Sequence, residues 1–295
     1  MELKPAVEKH TTMVNGSGVA YTARGPVNAE YAYVGINGLM GGGDSFWPVI
    51  AGVPQDWRVV LPDLPGCGES APLLPPRKHS IDGYVSWLAD FLDEANLANK
   101  KLVLASVATG APIAIRFALA HRDSMAGLVL HLPFFGKPAV PTKWARPLVA
   151  YGLLFAPTRA LVNRFRASDF LMHRIIIHEP PDAIPTLAES DIDHKQAASL
   201  HAAGEYLHDL MLTDARSELA QLEDLPVLIL ATEHDAFAPL PMLEAFVKNR
   251  HNITTYINRG AQHSWNEQFI AEMNSEIRKF TQAIIRRQAD DEQGA

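Results

Sequence analysis

The stretch from Lys101 to Asp123, KLVLASVATGAPIAIRFALAHRD, constrains the fold more than any other part of the sequence. It opens with a buried apolar run typical of a strand and closes with an amphipathic pattern typical of a helix. Only a short corner of small residues separates the two, and Pro112 falls in the first helical turn, where a missing N–H costs little. A strand that turns directly into a helix is the repeating unit of a parallel sheet covered by helices.

The same alternation of apolar runs and helical patterns extends over most of the chain and predicts an α/β fold with a mostly parallel sheet. A turn around NGSG near the start predicts an antiparallel hairpin. The predicted strands are Tyr31–Ile36, Trp57–Pro62, Lys101–Ser106, Gly127–Leu132, Pro226–Ala231 and Thr254–Asn258. The predicted helices cover residues 80–98, 109–121, 240–248 and 266–287.

The alternation is interrupted between Pro133 and Leu222, where helical patterns dominate. We therefore predict a core domain of residues 1–133 and 222–295, with a helical cap inserted at residues 134–221. An insertion between late strands lies at the carboxyl edge of a parallel sheet, where ligands bind. This position favours a lid that lines a pocket over a subdomain that only packs on the core.

Composition excludes several classes of protein. The chain has 295 residues, 47% of them hydrophobic, which is enough for a large core. Its net charge of −7 argues against nucleic-acid binding. The single cysteine, Cys67, cannot form an internal disulfide. No secretory signal is evident, and the longest uncharged apolar run, PLVAYGLLFAP, is too short to span a bilayer. We predict a soluble cytoplasmic protein and disfavour membrane association.

The corner in the Lys101–Asp123 stretch has the spacing of a nucleophile elbow, which needs small residues two positions before and two after its apex. The frame Ser106-Val107-Ala108-Thr109-Gly110 meets this requirement. A frame centred on Ser106 would place Leu104 at a crowded position and end the strand too early. Ala108 therefore occupies the apex, where a nucleophile would be expected.

Two loops after late predicted strands supply an acid and a base. Asp235 follows the strand at Pro226, and His263 follows the strand at Thr254. An aspartate that fixes the tautomer of a histidine, and stabilises the imidazolium, lets the histidine act as a general base. A single aspartate or histidine in a loop usually faces solvent. Together, in the order apex, acid and base, they predict a catalytic arrangement.

A glycine-rich loop, GINGLMGGGDSFWPVI, follows the first strand of the core. Backbone amides in such a loop can converge on a developing oxyanion. We predict that the amides of Leu39 and Thr109 form an oxyanion hole. The loop matches neither a P-loop nor a dinucleotide-binding fingerprint, and the sequence contains no H-E-x-x-H. No cofactor and no metal are expected.

These segments together resemble the α/β-hydrolase superfamily over nearly the whole chain. NGLMGGGDSFWPVI is similar to its His-Gly oxyanion loop, LPDLPGCGES to its D-x-P-G-x-G-x-S segment, and SVATG to its elbow. ATEHDAFAP and RGAQHSWNE are similar to its acid and histidine loops. The resemblance implies a Ser-His-Asp hydrolase that works through an acyl-enzyme beneath a helical cap, with Asp235 as the acid and His263 as the base.

Three residues depart from the family pattern. Asn37 replaces the usual histidine of the oxyanion loop, and Ser106 replaces the first glycine of the elbow. Ala108 has no nucleophilic atom, so this chain should not form an acyl-enzyme. Superfamily members with an aspartate nucleophile usually have tryptophan after it and a proline after the His-Gly pair. Thr109 follows the apex here and that proline is absent, so Ala108 is expected to stand for serine.

Two hypotheses account for Ala108. In the first, the active form is a carboxylesterase-like serine hydrolase that cleaves a small ester-type substrate, and alanine replaces its serine at position 108. In the second, the chain is a catalytically inactive binding protein or sensor that uses the capped pocket. The same machinery also serves lactone, thioester and carbon–carbon bond hydrolysis, so the bond type stays open.

The predicted cap bears on the substrate and on partners. Its leucine, phenylalanine, tyrosine and methionine residues fit a substrate with an apolar acyl or aromatic part, although helical core packing would use the same residues. An exposed apolar cap face could also form a homodimer. A basic stretch without acidic residues favours a solvated helix face, with an anionic substrate or a membrane surface as alternatives. Its basic residues are Lys143, Arg146, Arg159, Arg164 and Arg166.

Overall fold

The structure is a computed structural model that describes residues 7–137, 144–168, 185–260 and 266–294. Within these residues, eight strands form one sheet in the order β1-β2-β4-β3-β5-β6-β7-β8. The β1–β2 and β2–β4 pairs are antiparallel and all other pairs are parallel. The strands are β1 (Glu8–Val14), β2 (Ser17–Arg24), β3 (Tyr31–Ile36), β4 (Arg58–Pro62), β5 (Lys101–Val107), β6 (Met125–His131), β7 (Val227–Thr232) and β8 (Ile253–Asn258).

Helices cover both faces of the sheet. The helices in the described residues are α1 (Ile81–Glu94), α2 (Ala111–Ala120), α3 (Ala145–Gly152), α4 (Ala156–Arg166), α5 (Pro185–Ala197), α6 (Leu200–Leu212), α7 (Arg216–Leu219), α8 (Leu240–Val247) and α9 (Glu267–Gly294). One apolar layer lies between the sheet and helices α1, α2 and α8, and the other between the sheet and helix α9 with the short turns after β3. Among the described residues, no helix has both the length and the apolar character needed to cross a bilayer.

The predicted fold class is confirmed: the sheet is mostly parallel and flanked by helices. Observed ends differ from predicted ones by local capping. Helix α1 begins after Ser80, whose side chain accepts a hydrogen bond from the Gly83 amide, and it ends before Asn96, which has a positive φ of 57°. Asparagine tolerates this left-handed conformation and stops a helix. Helix α1 therefore ends at Glu94, four residues before the predicted end at residue 98. Helix α9 instead continues to Gly294, seven residues past its predicted end at residue 287.

Between β6 and β7, the regular structure in the described residues is helical, apart from one isolated bridge between Gly136 and Asp214. Helix α6 connects this segment to the core. The Glu205 carboxylate accepts hydrogen bonds from the backbone and ring of His79, at 3.0 and 2.9 Å. The sequence stretches FLMHRIII and HEPPD, parts of the predicted cap, lie outside the described residues.

Candidate active site

The corner after β5 positions Ala108 at its apex. Ala108 has a φ of +46°, in the left-handed region that costs a residue with a Cβ conformational energy. Helix α2 follows after a single short turn, Ala108–Gly110. A Cβ at Gly110 would lie 2.5 Å from the Asn37 carbonyl oxygen, so only glycine fits there. This sharp turn presents the side chain of residue 108 outward from the sheet edge, as an elbow does.

The glycine-rich loop after β3 lies directly against this corner. A Cβ built on Gly38 would be 3.6 Å from both the Ala108 Cβ and the Thr109 Oγ1. Asn37 is fully buried, and its Nδ2 donates to the carbonyl oxygens of Gly41 and Pro62 at 3.2 and 3.3 Å. Asn37, which stands where the family usually has histidine, therefore anchors the loop through its own side chain.

The two residues predicted to form the oxyanion hole contact each other. The Leu39 N–H donates to the Thr109 Oγ1 over 2.5 Å. The Thr109 carbonyl oxygen in turn accepts a hydrogen bond from the buried Tyr206 hydroxyl on α6. Sequence reasoning considered only the backbone amide of Thr109 and missed its hydroxyl. An oxyanion could use the Leu39 amide only after that hydroxyl moved away.

Asp63 of the LPDLPGCGES segment ties two loops together beside the site. Its Oδ1 accepts from the Gly43 amide at 2.7 Å and its Oδ2 from the Glu69 amide at 2.8 Å. Burial raises the pKa of the Asp63 carboxyl above its ordinary value, although both amide hydrogen bonds oppose the rise. Asp63 therefore supports the glycine-rich loop.

The loop after β7 holds Asp235 in a nearly buried position, 4% exposed. Its Oδ1 accepts hydrogen bonds from the amides of Phe237 and Ala238, at 2.7 and 3.0 Å. Phe134 links this loop to the corner: its N–H donates to the Ala108 carbonyl at 3.0 Å, and its ring centroid is 5.9 Å from that of Phe237. Ala108 and Asp235 thus follow strands β5 and β7 at the same edge of the sheet. His263 lies outside the described residues, so its pairing with Asp235 remains a prediction.

A second polar cluster, which sequence reasoning missed, joins the glycine-rich loop to α5. Asp44 accepts a hydrogen bond from the Ser190 hydroxyl at 2.5 Å, and the His194 Nε2 is 2.7 Å from its other oxygen. The partners are 146 and 150 positions apart, so no local spacing could reveal them. A cavity of about 170 Å³ adjoins the cluster, and Ala108 and Asp235 are not among its lining residues.

His131, at the end of β6, does not provide a second base. It is fully buried, and burial lowers its pKa to about 3, so the ring stays neutral at ordinary pH. Its Nε2 lies 3.5 Å from the Tyr33 hydroxyl and its ring packs edge-on against Phe46. In the described part of the chain, no three histidine, cysteine, aspartate or glutamate side chains converge as a metal site.

The mostly parallel sheet, the sharp corner after β5 and the loop after β7 that buries Asp235 are the features of a hydrolase-type scaffold. Residues 34–269 match the family model described as alpha/beta hydrolase fold, and the chain belongs to this family.

The chain is also similar to three individual proteins. It is 26% identical over 231 residues to the proposed carbamate hydrolase RutD of Caulobacter segnis. This alignment covers 76% of this chain and 81% of RutD. A thermophilic esterase from Thermogutta terrifontis superposes with a TM-score of 0.72 at 19% identity, covering 95% of this chain and 99% of that one. The epoxide hydrolase VrEH1 of Vigna radiata also superposes with a TM-score of 0.72, at 16% identity, and the match covers 94% of this chain and 98% of VrEH1. These structural likenesses concern the fold alone.

Proposed function

We propose that this chain is a capped serine-hydrolase scaffold for a small ester-type substrate, and that turnover requires serine at position 108. With Ala108, the protein binds its substrate without forming an acyl-enzyme. The cap is the helical segment 134–221, and residues 1–133 and 222–295 form the core that carries the catalytic residues.

The observation that carries this proposal is the conformation of Ala108. A left-handed alanine costs about 1 kcal/mol or more, and such strain persists where the surrounding structure enforces it. Here Gly110 packs tightly against the Asn37 carbonyl and Gly38 lies against Ala108, so the corner has little freedom to relax. A methyl group gains nothing from being held at this apex. A hydroxyl held there would be exposed to a substrate above the sheet edge.

In the serine form, each residue has a distinct role. His263 takes the proton of the serine hydroxyl at position 108, and Asp235 orients His263 and stabilises the imidazolium that forms. The hydroxyl oxygen then attacks the substrate carbonyl. The amides of Leu39 and Thr109 bind the resulting oxyanion, and the leaving group departs with a proton from His263. A water molecule then replaces the leaving group. His263 removes a proton from this water, its oxygen attacks the acyl carbonyl, and the serine oxygen leaves with the proton from His263.

The bond that is cleaved is a carboxyl ester or a close relative of one. A carbamate has the same carbonyl geometry, and the proposed activity of RutD makes it the first alternative to test. Lactones and thioesters need the same nucleophile and oxyanion hole. The apolar residues of the cap fit a substrate with an apolar acyl or aromatic part.

The test is the variant Ala108→Ser, assayed with p-nitrophenyl esters and a phenyl carbamate. We expect a rise in kcat/KM of about 10³-fold or more over the parent chain, because loss of a nucleophile serine costs at least this much. Ala108→Gly is the matched control, since it also lacks a hydroxyl and should stay at the parent rate. Intact-mass measurement should detect an adduct with a fluorophosphonate in the serine variant alone. If the serine variant shows neither a rise in kcat/KM nor a fluorophosphonate adduct, the proposal is rejected.

The second candidate function is a binding protein or sensor that never turns over its ligand. The hydrogen bond from Leu39 to Thr109 favours it, because the bond occupies an amide that catalysis needs. A failed Ala108→Ser experiment, together with ligand binding by the parent chain, would support this alternative.

Thr109 provides a separate prediction in the Ala108→Ser background. Thr109→Ala removes both the acceptor for the Leu39 N–H and the atom that covers this amide. Since one such hydrogen bond contributes about 1 kcal/mol, we expect kcat to rise about fivefold when the amide is released. Thr109→Ser retains a hydroxyl and should leave kcat unchanged. A fall in kcat with Thr109→Ala would show that the hydroxyl assists catalysis.

A further inference from the structure

Helices α3 and α4 present their apolar side chains to solvent. Trp144, Leu148 and Tyr151 follow each other at helical spacing along one face of α3 and its N-terminus, and are 78%, 69% and 45% exposed. Phe155, in the link before α4, is also exposed, as are Leu161 and Phe165, which lie one helical turn apart on α4. We call this surface the α3–α4 face; its large apolar residues are Trp144, Leu148, Tyr151, Phe155, Leu161 and Phe165.

The opposite side of α3 is the one that packs on the protein. Ala150 is 3% exposed, and α3 packs along α6. A solvated helix face, the interpretation favoured from sequence, would be polar on its outer side. Here the outer side is apolar instead. Apolar patches of this kind mark surfaces that contact a partner or a membrane.

Every formal charge within residues 144–168 is positive, in a chain whose net charge is −7. Arg164 is exposed on the same helix, three positions after Leu161 and directly before Phe165. Arg159 and Arg166, also on α4, are half-buried, and each donates to backbone carbonyls, those of Leu154 and Ala198 at 2.6 Å. These hydrogen bonds fix the two guanidinium groups beside the exposed Arg164.

The neighbouring helix α6 does not neutralise these arginines. Its Glu205 carboxylate bonds His79, and its Asp209 carboxylate accepts from the Ile81 amide at 2.8 Å, so both acids are committed to the core. An apolar stripe with a tryptophan and flanking arginines is the composition of helices that lie in the headgroup region of anionic bilayers.

We infer that the α3–α4 face docks on an anionic lipid surface. Charge decides between this occupant and a second copy of the chain. A two-fold symmetric dimer would bring the same patch of both copies together, with Arg164 of each near the arginines of the other. Phosphate headgroups instead complement those arginines, while the aromatic and aliphatic side chains enter the headgroup–acyl boundary.

The experiment measures binding of the whole chain to vesicles of phosphatidylcholine alone and of phosphatidylcholine with phosphatidylglycerol. We expect binding to the anionic vesicles at least about tenfold tighter, with the preference shrinking as salt is added. Emission from Trp144, 78% exposed in the free protein, should move to shorter wavelength on binding. Trp144→Phe should abolish that change.

Two matched pairs of variants test the face itself. Leu148→Ser with Phe155→Ser should weaken vesicle binding about tenfold or more, whereas Met13→Ser with Val27→Ser, at comparably exposed sites on the core, should not. Arg164→Gln should weaken it about fivefold and Arg286→Gln, on exposed α9 surface, should not. The unfolding midpoint of each variant should match that of the parent chain, which would show that the variant folds.

Two outcomes would overturn the inference. One is vesicle binding that is absent, or indifferent to lipid charge and to the α3–α4 variants. The other is a concentration-dependent dimer, lost in Leu148→Ser with Phe155→Ser, that does not bind vesicles; the face would then be a subunit interface. Neither outcome depends on Ala108→Ser, so the lipid inference and the proposed hydrolysis can fail separately.

Discussion

Replacement of Asp235 by asparagine in the Ala108→Ser background is expected to lower kcat/KM by about 10³- to 10⁴-fold. An amide cannot stabilise an imidazolium as a carboxylate does, and it favours the wrong histidine tautomer. The amide oxygen of the new side chain can still accept from the amides of Phe237 and Ala238, so the loop keeps its shape. The measurement is steady-state hydrolysis of the best p-nitrophenyl ester found for the serine variant.

A control separates catalysis from general loss of charge. Asp93→Asn, on the exposed side of α1, should leave kcat/KM of the serine variant unchanged. Urea unfolding should give similar free energies for both asparagine variants. If Asp235→Asn retains kcat/KM within about threefold of the serine variant, Asp235 is not the catalytic acid and the proposed triad is wrong.

Replacement of Gly110 by alanine is expected to lower the free energy of unfolding by about 3 kcal/mol. The new Cβ would lie 2.5 Å from the Asn37 carbonyl oxygen and 2.7 Å from that of Ile36. Both oxygens belong to the end of β3 and the start of the glycine-rich loop, where the buried Asn37 side chain is hydrogen-bonded. The backbone therefore has little room to retreat. Urea unfolding monitored by circular dichroism measures the change.

Gly152 provides the matched comparison. It is the last residue of α3, and no atom lies within 4 Å of where its Cβ would be. Gly152→Ala should leave the free energy of unfolding unchanged or raise it by a few tenths of a kcal/mol, since alanine favours a helix. Equal effects of the two substitutions would contradict the tight packing of the corner.

Much of the core could be predicted from the sequence because its signals are local. Short apolar runs that are rich in β-branched residues and bounded by turn residues predict buried strands, and the six predicted core strands lie within two residues of the observed ones. The sequence also predicts which residue lies at the apex of the corner, from the spacing of small residues around Ala108. The frame centred on Ala108 places Gly110 two positions after the apex, where a Cβ would meet the carbonyl oxygens of Asn37 and Ile36 at the end of β3.

The sequence does not predict hydrogen bonds between residues that are distant in the chain, or which of several possible partners a side chain will bond. Spacing could not reveal that the Thr109 hydroxyl bonds the Leu39 amide, since both were assigned by their backbone groups alone. Asp44 and His194 meet only because α5 crosses the glycine-rich loop. The pairing of Asp235 with His263 still rests on the sequence.

The sequence alone determined the sheet, the position of the corner and the alanine at its apex, because hydrophobic periodicity and small-residue spacing act over a few residues. Tertiary structure decided which hydrogen bonds the site residues make and which side of α3 faces outward. An amphipathic pattern defines two sides of a helix, but only the packing of α3 on α6 establishes that Ala150 is buried while Trp144 and Leu148 face solvent.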